Sequence, residues 1–204
     1  MISDEQRAEL ADFLDTLTPE QWETPSLCPG WTVRQAAAHV TQSSTNWGRL
    51  SFELLRSGFR FNALTLRMGR NDQRKPEEIT AALRAMVGGR RRPPGTAVAD
   101  PLADVLVHGQ DIAVPLGIPR TMPVPAAVIA AERLWKMGFP FNARKRFPNV
   151  TFTATDADFS VGDGDVVRGP DSGHRDDAVG PTSRIARGIA VPVGAFRLLA
   201  VDLA

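Results

Sequence analysis

Leu10, Phe13, Leu14 and Leu17 recur at helical spacing between residues 3 and 17, while Asp4, Glu5, Arg7 and Glu9 take the other face, so the chain opens with an amphipathic helix. Thr18-Pro19-Glu20-Gln21 then supplies a cap, a proline at the first helical position and a capping-box glutamine, which predicts a short turn of helix ending near Trp22. Pro25, Pro29 and Gly30 interrupt the chain. Thr32-Val33-Arg34-Gln35 repeats the capping-box pattern and starts a long second helix to about Arg56, whose buried side is expected to hold Val33, Ala36, Ala37, Val40, Trp47, Leu50 and Leu54. His39 shares a face with Ala36, Ser43 and Asn46.

Residues 57–75 carry no clear period, and Pro76-Glu77-Glu78 begins a third helix running to about Val87. Residues 88–95, rich in glycine, arginine and proline, read as a solvated basic loop. Asp100-Pro101 caps a further helix that Gly117 and Pro119 end near Leu116, and residues 125–137 form another with Val128, Ile129, Ala131, Leu134 and Trp135 available for burial. Beyond Gly138 the period shortens from 3.6 toward 2. Val150 to Asp156 alternates, Phe159-Ser160-Val161 follows, and Gly162-Asp163-Gly164 turns the chain before Val166-Val167, which predicts a small β meander. The fold class is therefore mainly α, with a helical bundle over residues 1–140 and a small β-rich portion over 141–204.

Composition narrows the chemistry. Twenty-four basic residues against 23 acidic ones leave a formal charge of +1, so neither nucleic acid nor an anionic membrane surface is expected as a partner. Only Lys75, Lys136 and Lys145 are lysines; that bias toward arginine, with abundant alanine, glycine and proline, suggests GC-rich coding DNA. Cys28 is the one cysteine, which excludes an internal disulfide and a four-cysteine zinc site. With no signal-peptide pattern at residues 1–7 and no run near the ~18 apolar residues of a membrane span, a cytoplasmic protein is expected.

Two of the three histidines fall in helical segments. Asp104 and His108 are four apart on the helix after Pro101, and Asp111 lies three further on, so the three project from one face. A carboxylate and an imidazole on successive turns can grip one cation, and His39 from the second helix could bring a third ligand. Three protein ligands with an open fourth position suit a catalytic zinc, where a water or thiol can bind and lose its proton. Spacing alone also allows an ordinary Asp–His pair and a packed core histidine.

The flanking residues carry more. Pro25-Ser26-Leu27-Cys28-Pro29-Gly30-Trp31-Thr32-Val33-Arg34-Gln35-Ala36-Ala37-Ala38-His39-Val40 resembles the N-terminal signature of the mycothiol-dependent maleylpyruvate isomerase family, whose members belong to the DinB-like superfamily of metal-binding four-helix bundles. Asp104-Val105-Leu106-Val107-His108-Gly109-Gln110-Asp111 resembles the second family motif, and Ala154-Thr155-Asp156, Gly162-Asp163-Gly164 and Val167-Arg168-Gly169-Pro170 resemble its C-terminal portion. The resemblance spans roughly residues 1–170. It implies a DinB-like four-helix bundle and places the family's His, Glu, His metal triad on His39, Asp104 and His108. The middle residue departs from the family, because Asp is shorter than Glu by about 1.5 Å of reach.

By the same resemblance the protein is a metal-dependent isomerase or transferase that uses a low-molecular-weight thiol such as mycothiol. A divalent ion, zinc being preferred for mixed nitrogen and oxygen ligation, would lower the thiol pKa so that a thiolate attacks a small electrophile such as maleylpyruvate. Addition to the cis double bond, rotation and departure would yield the trans isomer. A metal-binding module without turnover and a metal-hydroxide hydrolase are the alternatives. Asp111 either orients a ligating imidazole or ties its helix to the loop carrying Trp31. Cys28 is read as a packed thiol rather than a nucleophile, and Pro29, Gly30 and Trp31 as serving the turn and its packing. Arg67, Arg70, Arg74 and Arg90 to Arg92 could meet an anionic substrate but also suit a solvated surface, so catalytic and substrate-binding residues stay unassigned.

After Pro170 the text turns polar where the family continues into an apolar helix. Shifting the codons of His174 to Pro181 by one nucleotide permits an apolar reading, which points to a frameshift in the gene or its recorded sequence and makes His174 no candidate ligand. The apolar stretch around Ile189 to Val201 could complete the sheet or support a homodimer.

Overall fold

A computed structural model describes residues 2–42, 71–89, 97–138 and 142–169. Seven helices and three strands lie among them: α1 (Ile2–Asp15), α2 (Pro19–Trp22), α3 (Val33–Gln42), α4 (Pro76–Ala85), α5 (Asp100–Ala113), α6 (Val124–Lys136), α7 (Ala143–Arg146), β1 (Val150–Ala154), β2 (Ser160–Gly162) and β3 (Asp165–Gly169). The chain is mainly helical with a small sheet near its C-terminal end. No described helix is long and apolar enough to cross a membrane.

Local chemistry accounts for the helix ends. Thr18 Oγ1 accepts from the Gln21 amide while Gln21 Oε1 accepts from the Thr18 amide, and Thr32 with Gln35 repeats the reciprocal pair ahead of α3. At the far end of α5, Gly117 has φ +67°, Ile118 N–H bonds Ala113 C=O and Gly117 N–H bonds Val114 C=O, so a glycine in the left-handed region closes the last turn where expected. The start of α5 differs. Asp100 is its first helical residue, and its carboxylate accepts from the Ala97 amide upstream instead of capping the turn ahead. The second helix is described only to Gln42; its expected course to Arg56, with Trp47, Leu50 and Leu54, lies outside the described residues, as do Arg67, Arg70, the Arg90 to Arg92 run and everything after Gly169.

The chain divides into two compact units, the first extending to Ile118 and the second beginning at Pro119. The helix read from residues 125–137, grouped with the bundle from the sequence, therefore falls in the second unit as α6. In the first unit α1 packs on α4 and α5, and α3 packs on the same two, so four helices close a ring. Leu10, Leu14, Ile79, Leu83, Leu106 and Ile112 are wholly buried inside it, and removing these apolar side chains from water drives the closure. Ala36, Ala37 and Ala38 are likewise fully buried, so α3 meets its neighbours through small side chains. Arg7, read from the sequence as part of the exposed face of α1, is instead buried, bonding Asp4 and the Met86 carbonyl oxygen beyond the end of α4.

In the second unit α6 buries Ala126, Ala127, Ala130, Ala131 and Leu134 but leaves Ile129 exposed, contrary to expectation. Val150, Phe152 and Ala154 point inward from β1, with Trp135 and Phe147 meeting the Phe152 ring edge-on. The strands do not form a meander. Their order is β2-β1-β3, with β2 antiparallel to β1 and β3 parallel to it. Gly162 and Gly164, both at positive φ, carry the chain past the start of β1 so closely that a Cβ on either would overlap the carbonyl oxygen of Val150 or Asn149. The third strand consequently lands on the far edge of β1.

Candidate metal centre

The loop between α2 and α3 is built by Cys28-Pro29-Gly30-Trp31. Trp31 N–H bonds the Cys28 carbonyl, Gly30 sits at φ +75°, and Pro29 occupies the preceding corner, the residue pattern of a type II turn. Ser26 N–H bonds the Trp31 carbonyl, and Pro25 and Thr32 form a bridge that brings the two arms of the loop together. Leu27 N–H reaches the Asp111 carbonyl oxygen and ties the loop to α5. The turn thereby carries Cys28 and Trp31 to the place where α3 and α5 meet.

His39 comes from α3, and Asp104 and His108 from successive turns of α5. Asp104 Oδ1 lies 3.5 Å from His108 Nε2 and 3.9 Å from His39 Nε2. Both separations are at or beyond the limit of a hydrogen bond. They are close to the edge of about 3.4 Å expected when donors sit tetrahedrally at 2.0–2.1 Å around one ion. Donor atoms of the three side chains all lie within 4.8 Å of one another. Two imidazole nitrogens and one carboxylate oxygen form a donor set that a divalent transition metal accepts, so the residues fit the ion expected from the sequence. The shorter Asp104 side chain still reaches both imidazoles. The two rings meet edge to face with centroids 4.9 Å apart, and Trp31 lies against both, at 5.0 Å from His39 and 6.4 Å from His108.

Behind His108 stands a second cluster. Its Nδ1 is 3.1 Å from Asp111 Oδ2, and the Cys28 thiol donates to the same oxygen over 3.2 Å while lying 3.5 Å from Nδ1. The Asp111 carboxylate faces the imidazole, and its backbone carbonyl holds the loop. Cys28, His108 and Asp111 also form a compact donor set, but ligation there would take the Nδ1 proton that pairs with Asp111. Arg74, grouped in the sequence with arginines that could meet an anion, is engaged by Asp72 and Thr41.

Burial sets the protonation of these groups. His39 is pushed down to about 3, chiefly by burial and then by the charge of His108, with Gln42 acting the other way, so it is a neutral donor. Burial also disfavours a charged His108, yet the hydrogen bond to Asp111 and the charge of Asp104 act the other way and raise it above the ordinary histidine range. A proton would therefore compete with any metal ion at Nε2. Asp104 is raised by burial, against the opposing pull of His108 and Arg7. Burial raises Cys28 as well, which keeps it a thiol and agrees with its role as a donor to Asp111.

Residues 3–92 match the family model of the mycothiol maleylpyruvate isomerase N-terminal domain. That stretch belongs to this family. The match takes in the Cys28 turn and His39 and ends before the helix that bears Asp104 and His108. No curated protein and no solved structure matches the chain. Cys28 and Trp31, given by the sequence to packing and the turn, do take those places, and the structure adds that they lie beside His108 and against both imidazoles, respectively. The cue available was the turn itself, since a Pro-Gly corner one helix cap ahead of His39 fixes where its flanking side chains go.

Proposed function

We propose that the protein is a metal-dependent isomerase or transferase acting with a low-molecular-weight thiol, mycothiol in the family to which its N-terminal segment belongs, on a small electrophile such as maleylpyruvate. The observation that carries this reading is the convergence of His39, inside the family match, with Asp104 and His108, beyond its end, so that their donor atoms lie within 4.8 Å of one another. His39 and His108 through Nε2 and Asp104 through Oδ1 would hold the ion. When bound, a divalent ion of the zinc type supplies Lewis acidity that favours the thiolate form of a coordinating thiol at neutral pH.

The protein's own groups prepare that site. Asp111 accepts from Nδ1 of His108, which keeps the proton on that nitrogen and turns the Nε2 lone pair toward Asp104 and His39. Trp31 covers the imidazole pair and keeps bulk water from one side, which strengthens electrostatic interactions within. In the isomerisation, the thiolate sulfur would add to one carbon of the cis double bond, the π pair passing to the conjugated carbonyl as an enolate; rotation follows about the resulting single bond, and return of that pair expels the thiolate and leaves the trans alkene.

Elemental analysis of wild type beside His39→Ala and His108→Ala tests the ligand set, with about one ion per chain expected in the wild type and none in the variants. Consumption of maleylpyruvate only when thiol is supplied supports the reaction. Turnover without thiol would mark a hydrolase instead, and a metal-loaded protein inert to a panel of electrophiles would leave only a binding module.

A further inference from the structure

The loop thiol lies outside the His39, Asp104 and His108 donor set. Cys28 is held by its own backbone on both sides: its N–H bonds Ser26 Oγ over 3.2 Å, and its carbonyl accepts from Trp31 N–H over 3.1 Å. One residue earlier, Leu27 N–H bonds the Asp111 carbonyl oxygen over 3.0 Å. The sulfur thus approaches α5 on a loop already stitched to the residue it addresses. There the thiol and Nδ1 of His108 meet a single oxygen, Oδ2 of Asp111, at 3.2 and 3.1 Å.

Rotation of the Asp111 side chain would abandon both partners at once, so each contact helps to hold the other. From this geometry we infer that Cys28 is a positioning residue: its S–H pins the Asp111 carboxylate in the rotamer that fixes the His108 ring and directs Nε2 toward Asp104 and His39. The role is distinct from nucleophile and from ligand. The sulfur lies on the Nδ1 side of His108, whereas the three convergent donor atoms lie on the Nε2 side. Where metal affinity is the readout, the inference rests on the ligand reading given above; the position of the imidazole proton is independent of it.

The test compares Cys28→Ala and Cys28→Val, which bracket the thiol in size and lack its donor, with Cys28→Ser, which keeps one. In the metal-free full chain, with nitrogen-15 in the histidines, the Nδ1 proton of His108 is followed by its exchange with water, and the dispersed amide spectrum reports folding. The wild type and Cys28→Ser are expected to protect that proton, and both apolar variants to lose the protection while staying folded. Zinc affinity should fall about 3–10-fold in the apolar variants, below the 10–100-fold typical of losing a partner bonded directly to a ligand, and recover with serine.

Protection and affinity unchanged in Cys28→Val would overturn the inference by reducing Cys28 to filler. A sulfur-to-cobalt charge-transfer band in the cobalt-loaded wild type would overturn it by making Cys28 a ligand. If only Cys28→Ala unfolds, the valine and serine proteins decide. Should the wild type bind no zinc while its Nδ1 proton still depends on the Cys28 donor, the ligand reading fails and the positioning of His108 stands.

Discussion

His39 and His108 meet edge to face with ring centroids 4.9 Å apart, each turning Nε2 toward one oxygen of Asp104. Two like imidazoles so placed in a buried site repel when both are charged, which contributes to the neutral state of His39. A shared cation would resolve the juxtaposition by accepting both lone pairs.

Replacing the carboxylate tests that arrangement directly. Asp104→Asn preserves shape while removing the charge and weakening the oxygen donor. Zinc binding, measured by competition with a chelator, is expected to fall by more than about 100-fold, above the range typical of losing an outer partner. Circular dichroism should remain that of the wild type, since among the described residues the Asp104 carboxylate makes no close hydrogen bond that α5 needs.

Trp31 should report occupancy. Its ring lies against both imidazoles, so titration with cobalt or nickel is expected to quench part of the tryptophan emission. Trp31→Phe should reduce the metal-dependent part while the other three tryptophans continue to emit. Equal quenching in the variant would place the ion elsewhere.

Asp72 links the segment before α4 to α3, accepting from Arg74 and from Gln42. Burial opposes its ionisation, but the Arg74 hydrogen bonds and charge outweigh it and hold the carboxyl below its ordinary range. Folding therefore favours the ionised form: the stabilisation is complete above the unfolded pKa of about 3.9 and is lost as pH falls through the lower folded value. Asp72→Asn is expected to melt below the wild type at pH 7, with the gap closing as the solution is acidified. Thermal melts at several pH values check both the sign and the window.

Gly162→Ala addresses the strand crossing. Alanine there would adopt φ +102° and press its Cβ against the Val150 carbonyl oxygen. A loss of at least about 1–3 kcal/mol is expected for the second unit, read as a lower midpoint in chemical denaturation. A neutral outcome would mean that the crossing relaxes without this contact.

Much of this fold was legible in the chain. Leu10 and Leu14 at helical spacing, the Thr18 and Thr32 boxes, and Gly117 after α5 act over a few residues, and local order is what a linear pattern can express. The pairing of Asp104 with His108, and their relation to Asp111, follow from the pitch of one helix. Arg7 shows the boundary of that logic. Its periodicity marks a polar position on α1, but the Met86 carbonyl oxygen that justifies its burial comes from another element.

The amino-acid order by itself determined which segments coil, where they stop, and which acid and imidazole share a face, because those depend on neighbours a turn away. Only the tertiary structure decided that His39 stands opposite them, that Cys28 and His108 share one oxygen of Asp111, and that β3 joins the far edge of β1. Those outcomes depend on which helices pack, how small residues let backbones approach, and which distant donors meet. Such relations are set by three-dimensional proximity, for which spacing along the chain has no counterpart.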